Sequence, residues 1–176
     1  MAENKIQDAI ELPEKAKAAV EGSTVTIEGP KGKVTRDFTS ENVVIKSEGK
    51  SVTLTSVKDT KSERAAIGSI KSHLRNMAVG VTDGHHKKMK VCSGHFPMSV
   101  AVTGNELVVK NFLGEKTPRK LKIPEGVKIE VKGQDLSIDG CDKDMVGNVS
   151  GSIEKLTKRS NFDKRIFQDG IITITE

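Results

Sequence analysis

The stretch AVEGSTVTI at residues 19–27 and the stretch AVTGNELVV at residues 101–109 share one arrangement of small, apolar and glycine positions. The offset between them is 82 residues, and a similar offset relates the Gly-Ser-Ile at 68–70 to the Gly-Ser-Ile at 151–153. An offset that persists over most of a chain indicates an internal duplication and not a chance recurrence of glycines. The sequence therefore predicts two copies of one small domain.

Each copy has the pattern of several strands followed by one helix. Apolar and polar residues alternate at 25–27 and 52–55 in the first copy, and at 127–131 and 136–138 in the second. A period of two is typical of strands with one buried face, and the short glycine-containing segments between them favour antiparallel hairpins. The predicted fold class is α+β, a tandem duplication of a small domain with an antiparallel β-sheet and one packed α-helix.

Helix signals end the pattern of each copy. The run Thr60-Lys61-Ser62-Glu63 is a capping box, and an apolar stripe follows it at Ile67, Ile70, Leu74 and Met77. The second helix is predicted to start near Asp142, with its stripe at Val146, Val149, Ile153 and Leu156. We place the domain boundary where the first helix has ended, which gives a first repeat at 1–82 and a second at 83–176.

The charge of the chain is positive and unevenly distributed. The formal net charge is +5, yet residues 61–100 alone carry seven Lys or Arg and two Asp or Glu. A second basic zone follows near residues 155–165. Such zones attract polyanions, although an ordinary solvated surface can also be basic. Neither a signal-peptide pattern nor a membrane-length apolar run is present, so we expect a cytoplasmic protein without a membrane partner.

The sequence gives little support for a metal site or a catalytic site. His85, His86 and His95 lie near Cys92 and are residue types that zinc prefers, but no Cys-x-x-Cys pair accompanies them. The adjacent histidines instead extend the basic zone around Lys87. A thiol nucleophile at Cys92 would need an oriented base, and no third partner is recognisable. We expect no metal, no cofactor and no enzymatic activity.

Four motifs resemble a known family. They are NFLGEKTPR at 111–119, GHFPM at 94–98, DKDMVG at 142–147 and RIFQDGI at 165–171. Together they resemble the L-six family of large-subunit ribosomal proteins, in the branch shared by archaea and eukaryotes. The resemblance covers nearly the whole chain. Two positions depart from that branch: Ile172 stands where an aromatic residue is common, and Phe162 where a basic residue is frequent.

The resemblance implies a structural protein of the large ribosomal subunit that binds large-subunit rRNA, chiefly through its second domain, near the factor-binding region and the sarcin-ricin loop. It further implies neighbouring large-subunit ribosomal proteins as partners, with translational GTPases nearby. Structured RNA is recognised through phosphates and 2′-hydroxyls, so basic residues in the matching motifs are the candidate contacts. The predicted RNA-binding residues are Asn111, Gly114, Lys116, Arg119, Lys120, Lys158, Arg159, Lys164 and Arg165.

A different class of function fits the duplication equally well. A non-ribosomal, β-rich protein-interaction module could recruit a protein partner through the exposed edges of its strands. The two functions differ in their response to salt, because RNA binding through several phosphates weakens steeply as salt rises, whereas strand pairing responds weakly.

Overall fold

The structure is a computed structural model, which describes residues 7–13, 15–39, 42–48, 51–163 and 165–174. The chain divides into two compact units, Met1–Gly84 and His85–Glu176. Each unit has its own strands, its own helix and its own buried core.

The first unit contains six strands and one helix among its described residues. The strands are β1 (Gln7–Glu11), β2 (Lys17–Glu21), β3 (Thr24–Gly29), β4 (Gly32–Asp37), β5 (Val43–Glu48) and β6 (Ser51–Ser56), and the helix is α1 (Lys61–Thr82). They form two antiparallel three-stranded sheets, in the orders β1-β6-β5 and β2-β3-β4. Alternate residues of β3 and β6 enter the core, so Val25, Ile27, Val52 and Leu54 are fully buried.

Helix α1 begins with the predicted capping box. The amide of Glu63 donates to the hydroxyl of Thr60, and the amide of Thr60 donates to the Glu63 carboxylate, both at 3.3 Å. Near its other end the helix approaches the turn between β3 and β4. A Cβ on Gly29 would lie 2.7 Å from the carbonyl oxygen of Val81, so this approach requires a glycine.

The second unit repeats this order and adds one strand. Its elements are β7 (His85–Cys92), β8 (Ser99–Thr103), β9 (Glu106–Lys110), β10 (Arg119–Lys122), β11 (Val127–Lys132), β12 (Asp135–Gly140), α2 (Lys143–Leu156) and β13 (Gly170–Thr173). The sheets have the orders β10-β9-β8 and β11-β12-β7-β13. Helix α2 begins directly after Asp142, as predicted, and Asp142 caps it by accepting a hydrogen bond of 2.9 Å from the amide of Asp144.

The predicted α+β duplication is confirmed, with two sheets in each unit where the sequence suggested one. Six strands and a helix follow one another in the same order in both units, and the sheet β1-β6-β5 has its counterpart in β7-β12-β11. A single sheet was expected because alternation marks strands without telling which of them pair. Splitting the strands into two sheets lets both bury a face against one helix.

The two copies differ most in the loop after their third strand. In the first unit, Pro30 and Lys31 alone separate the paired residues Gly29 and Gly32. In the second unit β9 ends at Lys110 and β10 begins at Arg119. The eight residues between them belong to the motif at 111–119. This loop is longer than its counterpart in the first unit and is therefore an addition to the duplicated domain.

The second unit encloses a continuous apolar core between α2 and the two sheets. Met89 of β7, Leu107 of β9, Leu136 and Ile138 of β12, and Ile153 of α2 are fully buried there. Ile171 of β13 joins the same cluster at 2% exposure. Because an apolar core of this kind supplies most of a small domain's stability, it holds the loop and the C-terminal segment on a rigid base.

Candidate nucleic-acid interface

The predicted RNA-binding residues fall on three segments of the second unit. They lie in the loop 111–118, at the start of β10, and in the chain from the end of α2 to β13. Lys164 lies outside the described residues. The other eight, whose positions are described, are Asn111, Gly114, Lys116, Arg119, Lys120, Lys158, Arg159 and Arg165.

The loop 111–118 has an unusual backbone held by a buried anchor. Asn111, Leu113 and Gly114 have φ angles of +58°, +49° and +78°. Asn and Gly tolerate this left-handed region, whereas Leu rarely adopts it, so the loop carries local strain. Between them Phe112 is buried to 1% exposure, and the Asn111 side chain donates a hydrogen bond of 2.9 Å to the carbonyl of Pro97. These contacts stabilise the strained turn.

The structure brings together motifs that are far apart in sequence. Asn111 and Gly114 lie against the 94–98 segment, where a Cβ added to Gly114 would contact the ring of Phe96 at 3.6 Å. The other side of that segment is held by Asp169, whose carboxylate accepts from the amide of Gly94 at 2.7 Å and from the amide of His95 at 3.1 Å. Three of the four motifs that carried the family resemblance therefore meet in one place.

Asp169 is an ionised group in a protected position. Its side chain is 4% exposed, and its second oxygen lies 2.8 Å from Nδ1 of His95. Burial opposes ionisation, but the hydrogen bonds from the His95 side chain and from the two backbone amides outweigh it and lower the pKa of Asp169. The ring of His95 also packs on Phe167, with centroids 4.7 Å apart. Sequence reasoning did not single out Asp169, because its partners lie more than 70 residues away.

Arg119 lies inside this arrangement and has several partners within the unit. Its guanidinium forms two hydrogen bonds with the carboxylate of Glu115, at 2.7 and 2.8 Å, and a third with the carbonyl of Leu156. It also stacks 4.4 Å from the centroid of Phe112. The bonds with Arg119 lower the pKa of Glu115, so this carboxylate is fully ionised at neutral pH. Arg119 thus ties the loop to the end of α2.

Arg159 connects the Glu115–Arg119 ion pair to the surface of the unit. One guanidinium nitrogen lies 3.8 Å from Glu115, and the group stacks 4.6 Å from the ring centroid of Phe162. Phe162 in turn meets Phe167 edge to face at 5.0 Å. At 41% exposure the Arg159 side chain remains accessible to a ligand. Phe162, noted in the sequence as a departure from the family pattern, is a packing partner of this arginine.

The remaining predicted cations lie at the surface. Lys116, Lys158 and Arg165 are exposed, and Lys120 is exposed with a long ion pair of 3.6 Å to Glu106. A cavity of about 630 Å³ opens between the end of α2 and the 162–172 segment. Its lining combines cationic and aromatic side chains, namely Lys155, Lys158, Arg159, Phe162 and Phe167. This surface can therefore offer both charge and stacking area to a ligand.

The histidines considered as metal ligands have other contacts. His86 pairs with Asp139 at 2.5 Å and His95 pairs with Asp169. Within the described ranges, no group of three or more His, Cys, Asp and Glu side chains is placed to hold a metal ion. Neither α1 nor α2 combines the length and the apolar character that a membrane-spanning helix needs.

Comparison with known proteins agrees with the duplicated fold. The family model described as Ribosomal protein L6 matches residues 12–84 and again residues 96–170. The large ribosomal subunit protein uL6 of Methanobrevibacter smithii is 40% identical over 171 residues, which cover 97% of this chain and 96% of that protein. The proteins of the same name from Saccharolobus solfataricus and Natronomonas pharaonis are 39% and 40% identical over 167 residues. These alignments span 94% and 95% of this chain, and 92% and 94% of the relatives. The chain belongs to the ribosomal protein L6 family.

Proposed function

We propose that this protein is a structural constituent of the large ribosomal subunit, in the cytoplasm, and that its second unit binds large-subunit rRNA. The relatives are named as proteins of the large ribosomal subunit, and alignments that cover more than nine-tenths of both chains support the same role here. The role is architectural and not catalytic. The binding region lies near the factor-binding region and the sarcin-ricin loop, where neighbouring ribosomal proteins and translational GTPases are the further partners.

The convergence of the separated motifs carries this proposal. The loop 111–118, the segment 94–98 and the segment 165–171 meet around Asp169 and Glu115, and exposed cations surround them. An RNA ligand gains affinity when lysines and arginines replace the counterions of its phosphates. A rigid, irregular loop flanked by cations suits structured RNA, which proteins recognise mainly by shape.

The predicted residues divide into those that contact RNA and those that shape the binding surface. Lys116, Lys158, Arg159 and Arg165 are placed to meet phosphates, together with Lys164, which is assigned from the sequence alone, and Lys120 at the edge of β10. Asn111 and Gly114 shape the loop. Arg119 belongs with them as a positioning residue, because Glu115, Leu156 and Phe112 already surround its guanidinium.

Sedimentation and footprinting test the proposal. The protein is expected to sediment with the large subunit, to leave it in high salt, and to protect rRNA near the sarcin-ricin loop from hydroxyl radicals. The logarithm of the affinity should fall linearly with the logarithm of salt concentration, with a slope of about −0.7 to −0.9 per phosphate contacted. A protein found in a free pool, or one whose binding hardly responds to salt, would support the protein-interaction function instead.

A further inference from the structure

One sheet edge is filled in the second unit and open in the first, as far as the chain is described. Strand β13 pairs with β7, and α2 lies along the strand's far side. There the hydroxyl of Thr157 accepts a hydrogen bond of 3.0 Å from the amide of Ile171, and the carboxylate of Glu154 accepts one of 2.9 Å from the amide of Thr173. β13 therefore fills a slot between a strand edge and a helix.

Strand β1 is the counterpart of β7. Ile10 of β1 faces Val52 of β6 in the same way that Met89 of β7 faces Leu136 of β12. By this register Asp8 corresponds to Lys87. In the first unit the strand carries the acid and the helix the base, and in the second unit the strand carries the base and the helix the acid. Asp8 binds Lys71 of α1 at 2.7 Å, whereas Lys87 lies close enough to Glu154 of α2 to lower that group's pKa. The slot is thus built alike in both units with reversed charges.

In the first unit a cavity of about 430 Å³ lies where β13 would be. Its sheet wall consists of Ala9, Ile10, Glu11 and Pro13, and its helix wall consists of Lys71, Arg75, Ala78 and Val79. β13 pairs with Met89 to Cys92, which by register correspond to Ile10 to Pro13. Among the described residues, the sheet order β1-β6-β5 leaves β1 at an edge. An unpaired edge of this kind is a template for another strand.

We propose that this groove, formed by β1 and α1, receives an extended segment of a protein partner, which adds to β1 as a fourth strand. The backbone of β1 supplies the hydrogen bonds, as in other cases of strand addition. Because Pro13 lacks an amide hydrogen, the paired segment is short, comparable with the four residues of β13.

The helix wall defines the chemistry of the segment. Where the second unit presents Glu154, which accepts hydrogen bonds from a strand, the first unit presents Lys71 at the corresponding position of its helix. Arg75 follows one turn later, so the helix wall of the groove offers two hydrogen-bond donors. Ala78 and Val79 add an apolar surface, and Val79 is 39% exposed. The segment accordingly carries an acidic side chain toward Arg75 and a small apolar one toward Val79. An RNA ligand fits the groove less well, because the Glu11 carboxylate on the sheet wall repels phosphate.

A peptide with the sequence of residues 168–176, QDGIITITE, is a suitable probe, since it contains β13 and two acidic side chains. It is titrated into the full-length protein while amide chemical shifts and hydrogen exchange are followed by NMR. We expect shift changes at Ala78 and Val79, and an exchange protection of roughly tenfold or more at Ala9 and Glu11 when peptide is in excess.

Three variants make the test specific. Arg75→Glu and Val79→Glu change exposed groove residues and should each weaken binding about tenfold through charge repulsion. Lys61→Glu makes the same charge change as Arg75→Glu at the exposed start of α1 and should leave the affinity unchanged. The proposal is overturned by an absence of protection at Ala9 and Glu11 up to about 1 mM peptide. Three other outcomes would also overturn it. They are peptide binding by the Arg75→Glu variant as tight as by the unaltered protein, chemical-shift changes confined to β7 and β13, and protection of the same amides by large-subunit RNA in place of the peptide. None of these outcomes bears on RNA binding by the second unit.

Discussion

Glu115 and Arg119 form a bidentate ion pair at the base of the loop, in which the two carboxylate oxygens accept hydrogen bonds of 2.7 and 2.8 Å from the guanidinium. The same carboxylate lies 3.8 Å from Arg159 beyond the end of α2. One acidic residue therefore connects the strained loop to the basic C-terminal segment. Positive side chains that would otherwise repel each other are held close together around it.

Removal of this acid should loosen the loop. Both side chains of the pair are less than one-third exposed, so Glu115→Gln should lower the free energy of unfolding by roughly 1 to 2 kcal/mol, as expected for partly buried hydrogen bonds between charged groups. Urea denaturation measures the change. Glu106→Gln is the matched control, because its 3.6 Å pair with Lys120 is exposed and should contribute less than about 0.5 kcal/mol. Equal losses in the two variants would show that the Glu115 carboxylate is not a structural link.

The basic C-terminal cluster should determine the salt dependence of RNA binding. Replacing Lys158, Arg159, Lys164 and Arg165 together with Gln should weaken binding to large-subunit RNA. The slope of log affinity against log salt should become shallower by about 0.7 to 0.9 for each phosphate that the variant no longer neutralises. A filter-binding titration at several salt concentrations measures both effects, with circular dichroism to verify the fold. An unchanged slope would remove these four residues from the interface.

Asp169 should make the second unit sensitive to acid. The pKa of Asp169 is lowered in the folded protein. The ionised carboxylate therefore stabilises the fold fully at pH values above the pKa of an unfolded aspartate, about 3.9, and this stabilisation is lost as pH falls through the folded pKa. Asp169→Asn should therefore destabilise the protein at pH 7 and have progressively less effect below about pH 4. Denaturation curves across this range test the prediction. Asp135→Asn, on the exposed side of β12, serves as the control; a loss at pH 7 that persists unchanged in acid would contradict the assignment.

Gly114 and Gly147 should respond in opposite directions to alanine. At Gly114 the φ of +78° is unfavourable for any side chain, so Gly114→Ala should cost about 1 to 2 kcal/mol although the site has space for a methyl group. At Gly147, in the middle of α2, an added methyl group would meet nothing within 4 Å. Gly147→Ala should stabilise the helix by about 0.5 to 1 kcal/mol. Thermal unfolding of the two variants distinguishes backbone strain from crowding; a loss of stability in both would contradict the strain argument.

Local patterns in the sequence predicted the elements that local physics determines. The structure contains the capping box at Thr60, the helix start near Asp142 and the strand indicated by the alternation at 52–55. Each of these features depends on neighbours a few residues apart. The duplication was equally accessible, because an offset between two copies is visible without knowing which strands pair. The family was predicted from its motifs and is confirmed.

Long-range pairing accounts for what sequence reasoning missed. β13 has four residues and pairs with β7, which lies about 80 positions earlier, so no local pattern marks it as part of that sheet. Arg119 resembles a surface cation in a basic loop until Glu115 and the carbonyl of Leu156 are seen to surround it. The assignment of the nine predicted residues to the RNA interface stays a prediction, and the salt titration of the C-terminal variant tests four of them.

The position of β13 also has a consequence for synthesis. Every described strand of the first unit pairs with another strand within residues 7–56, so this unit can complete its sheets soon after α1 has left the exit tunnel. The second unit cannot, because β7 is made first and waits for Gly170–Thr173 before its edge is covered and Ile171 enters the core. Pairings of such sequence separation form slowly. A nascent chain arrested before residue 170 would therefore display a first unit with its own strand pairs complete and a second unit in which β7 is still an unpaired, aggregation-prone edge.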